Sequence, residues 1–107
     1  MQDGFFTVSF ETRFDRGGGV AFVEGDRLTG GDSLMYWTGT VSRSGEKVEL
    51  DVQVIRHGDH GVSVLGDHDR FRLKAKGRAE GDAVTVSGHA DVAPQMTLTA
   101  TLRRTPV

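Results

Sequence analysis

The chain has 107 residues, a formal net charge of −2 and no cysteine. That length suits one domain with a single core, spanning residues 1–107, and the missing thiols exclude a disulfide framework and thiolate metal sites. Charges of both signs are interspersed, which argues against nucleic acid as the main partner, since phosphate binding needs a clustered basic face.

Period-two alternation of apolar and polar residues, the mark of a half-buried strand, runs through almost the whole sequence. Phe6, Val8 and Phe10 alternate with Thr7, Ser9 and Glu11. Gly17-Gly18-Gly19 reads as a flexible turn or barrel corner, with Val20 and Phe22 in the strand after it. A tight hairpin is expected at Glu24-Gly25-Asp26-Arg27, with a short strand over Arg27 to Thr29. In Thr29-Gly30-Gly31-Asp32 the two glycines are expected to set a sharp turn, and Asp32 to cap it by accepting a backbone N–H two residues on.

A strand follows from Tyr36 to Ser42, then a turn at Ser44-Gly45-Glu46. Val48, Leu50, Val52 and Val54 alternate with Glu49, Asp51 and Gln53 in the clearest strand of the chain. The glycine-rich segment from His57 to Asp69 is the longest interruption. Phe71 to Ala75, a turn at Glu80-Gly81-Asp82, Val84 to His89, and a last strand carrying Met96, Leu98, Ala100 and Leu102 complete the chain. Arg70, Arg72, Lys74 and Lys76 alternate with Phe71, Leu73 and Ala75, and so read as the solvated face of their strand, with an anion or acidic-partner surface as the alternative.

The expectation is an all-β fold of about eight short antiparallel strands. Closure into a barrel would remove the exposed strand edges, with a two-sheet sandwich as the competing architecture. The inward rows are expected to mix large residues (Phe6, Phe10, Phe22, Phe71) with small ones (Ala75, Gly88, Ala100). An eight-stranded barrel either fills its interior or holds one small ligand. Phe6, Val8, Phe10, Val52, Phe71, Leu73, Leu98 and Ala100 are the candidate lining for an apolar ligand.

Motifs of known chemistry do not fit. Gly30-Gly31-Asp32 lacks the domain size and the following residues of a cyclic-dinucleotide synthase. Gly17-Gly18-Gly19 precedes a strand, whereas a phosphate cradle needs a helix N-terminus. No nucleophile elbow is present and the carboxylate pairs lie in turns, so no enzyme and no catalytic residue are expected. His57, His60 and His68, with the aspartates around them, have ligand-like spacing for zinc. A glycine-rich loop does not hold ligands rigidly, however, and no metal or other cofactor is assigned. Tyr36 and Trp37 are adjacent on one strand, so one ring should face the interior and the other outward, where it offers an anchor for a partner. No apolar run approaches the ~20 residues of a spanning helix, and Met1-Gln2-Asp3-Gly4 lacks a basic head, so a cytoplasmic protein away from the membrane is expected.

The pattern Asp3-Gly4-x-Phe6-x-x-x-Phe10, Gly17-x-Gly19, Gly25, Thr29-Gly30-Gly31-Asp32, Trp37 and Gly39 resembles the GrlR family, small bacterial proteins named for a negative regulator of a type III secretion gene cluster. The resemblance is densest over the first 42 residues. It continues more loosely through Arg56-His57 and Ser63-Val64-Leu65-Gly66. It implies a lipocalin-like eight-stranded barrel with an apolar interior, assembled as a homodimer. In the regulator that names the family, the barrel sequesters a transcriptional activator through an acidic surface loop. By position that loop is Ser42-Arg43-Ser44-Gly45-Glu46-Lys47 here, which is not an acidic run. The resemblance thus implies the scaffold, and the expected function is non-enzymatic regulation by binding a protein partner such as a transcriptional regulator, with Arg43, Ser44, Gly45 and Glu46 in the divergent contact loop and Tyr36 and Trp37 as interface anchors. The alternative is a carrier or sensor of a small apolar ligand inside the barrel.

Overall fold

The computed structural model describes residues 1–106. Eight strands follow one another: β1 (Gly4–Glu11), β2 (Arg16–Glu24), β3 (Arg27–Gly31), β4 (Met35–Ser44), β5 (Lys47–Arg56), β6 (Arg70–Glu80), β7 (Ala83–Ala90) and β8 (Ala93–Arg104). Each pairs antiparallel with the next, and β8 returns to β1 to close an up-and-down barrel. Phe6 opposite Arg104 and Phe10 opposite Ala100 set the closing register. The barrel is the architecture adopted, and the sandwich is not.

Alternation decides which face of each strand points inward. Val48, Leu50, Val52 and Val54 of β5 are buried, as are Phe71, Ala75 and Ala79 of β6. Arg70, Arg72, Lys74, Lys76 and Arg78 form the exposed row of β6, as their alternation predicts. That row is partly neutralised by its neighbours. Arg72 makes a two-pronged contact with Asp51 (2.8 and 2.6 Å), and Arg78 donates to Glu46 at 2.9 Å.

Three expectations are corrected in β2 and β3. Gly17, Gly18 and Gly19 are not a turn; they lie inside β2, paired with Phe10, Ser9 and Val8. Thr29, Gly30 and Gly31 likewise lie in β3, opposite Thr38, Trp37 and Tyr36. The turn begins only at Asp32. There the carboxylate does cap the bend, its Oδ1 accepting the N–H of Leu34 (2.8 Å) and of Met35 (2.7 Å). The inward row of β2 is consequently Gly17, Gly19, Ala21 and Val23. Phe22 therefore sits on the outer face, 44% exposed, rather than among the inward aromatics. A run of three glycines is indistinguishable from a loop by composition, yet here pairing with β1 holds it extended.

The expected hairpins at Gly25-Asp26, Gly45-Glu46 and Gly81-Asp82 are all present. Each first turn residue is a glycine with φ near +60°, the arrangement of a two-residue turn matched to strand twist. Each turn is also stitched to the strand beyond it. The carbonyls of Asp26, Glu46 and Asp82 accept the backbone N–H of Val41 (2.9 Å), Ala79 (2.8 Å) and Arg104 (2.8 Å). These three turns, the start of β1 and the end of β8 gather at one end of the barrel, the hairpin end. The opposite, loop end carries the β1–β2, β3–β4, β5–β6 and β7–β8 connections, including the long segment from His57 to Asp69.

Candidate functional site

The interior is not uniformly packed. Towards the hairpin end, Phe6, Val23, Val48, Val84 and Val86 are almost wholly inaccessible. β-Branched side chains on facing strands fill that half, as a core at ordinary density should be filled. Towards the loop end the barrel holds a cavity of about 390 Å³ that opens to solvent at its mouth. Its wall includes Val8, Phe10, Val52, Phe71, Leu73, Leu98 and Ala100, seven of the eight residues expected to line an interior site. The exception is Phe6, which lies in the packed half.

Several lining residues were not singled out from sequence. Met35 and Val54 come from β4 and β5, and Leu34, Val64 and Leu65 come from the loops that partly cover the cavity, whereas Trp37 is the ring of the Tyr36–Trp37 pair expected to face inward. The loop residues did leave a signal. Val64-Leu65 is an apolar pair inside a segment otherwise rich in glycine, histidine and aspartate, and Leu65 is 4% exposed. An apolar pair in a polar loop folds back over whatever apolar surface lies beneath it.

The cavity owes its shape to the glycines. A side-chain Cβ on Gly17 would meet the Phe10 ring at 2.8 Å, and one on Gly19 would meet the Trp37 indole at 2.8 Å. A Cβ on Gly30 would strike the Val20 carbonyl and come within 2.6 Å of the indole nitrogen. The indole therefore lies across the inner faces of Gly19 and Gly30. The Phe10 ring lies against Gly17 and meets the indole edge-on, with centroids 5.9 Å apart and planes at 86°. Glycine serves here for close approach, not for positive φ. Of the adjacent aromatics, Trp37 faces the cavity and Tyr36 faces out, 42% exposed.

The roof is held by few bonds. The backbone N–H groups of His57 and Gly58 donate to the Leu34 carbonyl (2.9 and 3.0 Å). Arg56 reaches the carbonyls of Gly58 and Gly61 (2.9 and 3.0 Å). The Thr12 hydroxyl donates to the Val64 carbonyl at 3.3 Å. His57 contacts the Asp32 carbonyl at 2.9 Å and lies near the Tyr36 ring, whereas His60 borders the cavity. Among the described residues His57, His60 and His68 do not converge with other histidines or carboxylates into a metal-sized group.

The hairpin end bears the loop for which the resemblance implies a partner contact. Arg43 points inward from β4 and is held within the chain. Its guanidinium donates to the Met1 carbonyl (3.0 Å), to Asp3 (3.1 Å) and to the Gly25 carbonyl. The Gly25 N–H and then Arg43 hold the Asp3 carboxyl below its ordinary pKa. Ser44, Gly45 and Glu46 stand exposed on the hairpin, with Glu46 paired to Arg78.

No known protein-family model matches this sequence, and no curated protein matches it. The geometry alone therefore carries the functional reading. On the outer face a second feature stands out. Val20, Phe22 and Tyr36 are all exposed, and the register links them across β2, β3 and β4, with Val20 opposite Gly31 and Gly31 opposite Tyr36.

Proposed function

We propose that the protein is a non-enzymatic carrier or sensor that holds one small apolar ligand inside the barrel. The partly covered cavity of about 390 Å³ is the observation that carries this reading. It falls in the size range of small-molecule sites, ~300–1,000 Å³. A barrel of this size can fill its interior completely, as the hairpin half does. Leaving the other half open forgoes packing that would stabilise the fold, and ligand binding is the physical return for that loss. The charged outer rows and apolar interior are the inverse of a lipid-spanning barrel, which supports an aqueous setting. No helix among the described residues is long and apolar enough to cross a membrane.

Trp37 is the only tryptophan and lines the cavity, so its fluorescence reports occupancy. Titration with 1-decanol should shift that emission saturably. The cavity-filling variant Ala100→Leu should remain folded and lose the response. A folded wild-type protein that shows no saturable shift with any apolar probe would overturn the proposal.

A second reading is regulation through a protein partner by a homodimeric GrlR-like barrel. The exposed Val20, Phe22 and Tyr36 face favours it, since exposed aromatics on an otherwise polar surface are apt anchors. On this reading the mass in solution is that of a dimer, and Phe22→Ser with Tyr36→Ser yields a folded monomer. A wild-type protein that stays monomeric at high concentration counts against it.

A further inference from the structure

We infer that the cavity selects an uncharged, planar aromatic compound of about two rings, an inference that rests on the ligand-binding reading above. Size comes first. The cavity, about 390 Å³, is between two and three times an engineered cavity of about 150 Å³ that takes up benzene. It has room for roughly ten to fifteen non-hydrogen atoms by that scale. A long lipid chain is too large, and a single small ring leaves much of the space empty.

Charge comes second. The ionisable residues of the lining are Asp15, Arg16, Asp32 and His60. All four lie in loops or at a strand end, at the mouth. Asp15 and Asp32 already accept backbone N–H groups. Below the mouth the wall offers no charged side chain, so an ionised ligand drawn inside would lose its hydration without a partner. One held at the mouth would meet charges of both signs. A hydroxyl or similar neutral polar group suits that position.

Aromatic character comes third, and it separates this site from a merely greasy hole. Phe10, Trp37 and Phe71 all border the cavity. The indole is backed by Gly19 and Gly30 and set edge-on to Phe10, so it is fixed in place before any ligand arrives. A fixed indole surface beside two phenyl rings favours flat rings over puckered or chain-like bodies of equal size, because stacked and edge-to-face pairs add to area burial. Three inward glycines on two adjacent strands make this wall possible. A barrel selecting only for hydrophobicity has no need of them.

The test compares 2-naphthol with decahydro-2-naphthol, which has the same skeleton without aromaticity, and with 2-naphthoate, which adds an anionic head. Calorimetry on the intact protein should show 2-naphthol binding about two- to tenfold more tightly than its saturated counterpart. It should bind at least tenfold more tightly than 2-naphthoate. In Trp37→Leu the aromatic preference should vanish while decahydro-2-naphthol still binds, which also shows that the variant has folded. If both neutral compounds bind equally to the wild type, or 2-naphthoate binds best, the aromatic, uncharged class is overturned and the ligand-binding reading stands. If 1-decanol and all three ring compounds fail to bind folded protein, the cavity reading falls and this inference falls with it.

Discussion

One end of this barrel is closed by packing and short turns, and the other by a roof laid over empty space. At the hairpin end valines and Phe6 interdigitate, three glycine-led turns are stitched to the following strands, and Arg43 ties both Met1 and Asp3 to the Gly25 turn. At the loop end the inward positions of β2 and β3 are glycines, two aromatic rings occupy the space they leave, and Leu65 folds down as a roof. The same eight-stranded frame thus devotes one half to stability and leaves the other free for a ligand. The difference arises from which residues occupy the inward rows, not from any change in topology.

The sharpest way to break this contrast is to truncate one phenylalanine in each half. Phe6→Ala should destabilise the fold by about 4 kcal/mol, within the range for a fully packed ring. Phe71→Ala should cost about 1–2 kcal/mol less, because part of the ring already faces a cavity and fewer contacts are lost. Urea denaturation of the two variants measures the gap, and equal losses would mean that the cavity half is packed after all.

Next in size is Gly30→Ala. The added methyl strikes the Val20 backbone carbonyl and the Trp37 indole, and backbone cannot move aside as a flexible side chain can. A loss of about 2–3 kcal/mol is expected, with a shifted tryptophan emission as the indole is pushed into the cavity. Gly25→Ala offers the control, since nothing lies within 4 Å of its Cβ position. It should leave the emission unchanged and cost less, through the strained positive φ alone.

Smaller effects come from the charges. Asp3 has its pKa lowered by the Gly25 N–H and by Arg43, so its ionised form is favoured more in the folded than in the unfolded chain. Its contribution is therefore present at neutral pH, above the unfolded value of about 3.9, and disappears as pH falls through the lowered folded value. Asp3→Asn should melt below the wild type at pH 7, and the two curves should converge below about pH 4. Asp51, lowered by its hydrogen bonds to Arg72, obeys the same sign. Being a surface pair on the outer wall, it should show the smallest change of all in Asp51→Asn, and salt should erase it.

Strand number, the three hairpins, the Asp32 cap and the exposed basic row of β6 were legible because each depends on local chemistry. Alternation reports which side of a strand is buried, and a glycine between polar residues reports a turn. Gly17 to Gly19 and Gly30-Gly31 misled for the same reason. Glycine in a turn and glycine under an aromatic ring look identical until the partner strand is known. Phe22 was placed inside because it alternates in step with Val20, and both in fact face out. Without a side chain at Gly17 or Gly19, nothing local marks which row of β2 is the inner one.

The amino-acid sequence by itself determined the all-β character, the meander of short strands and seven of the residues that border the cavity, because periodicity and turn chemistry act over a few residues. Tertiary structure alone decided that the sheet closes, that Trp37 lies across Gly19 and Gly30, that Arg43 turns inward, and that one half of the interior stays open. Those features depend on which residues meet across strands distant in sequence. A cavity is also defined by atoms that are absent, and no single segment of the chain records that.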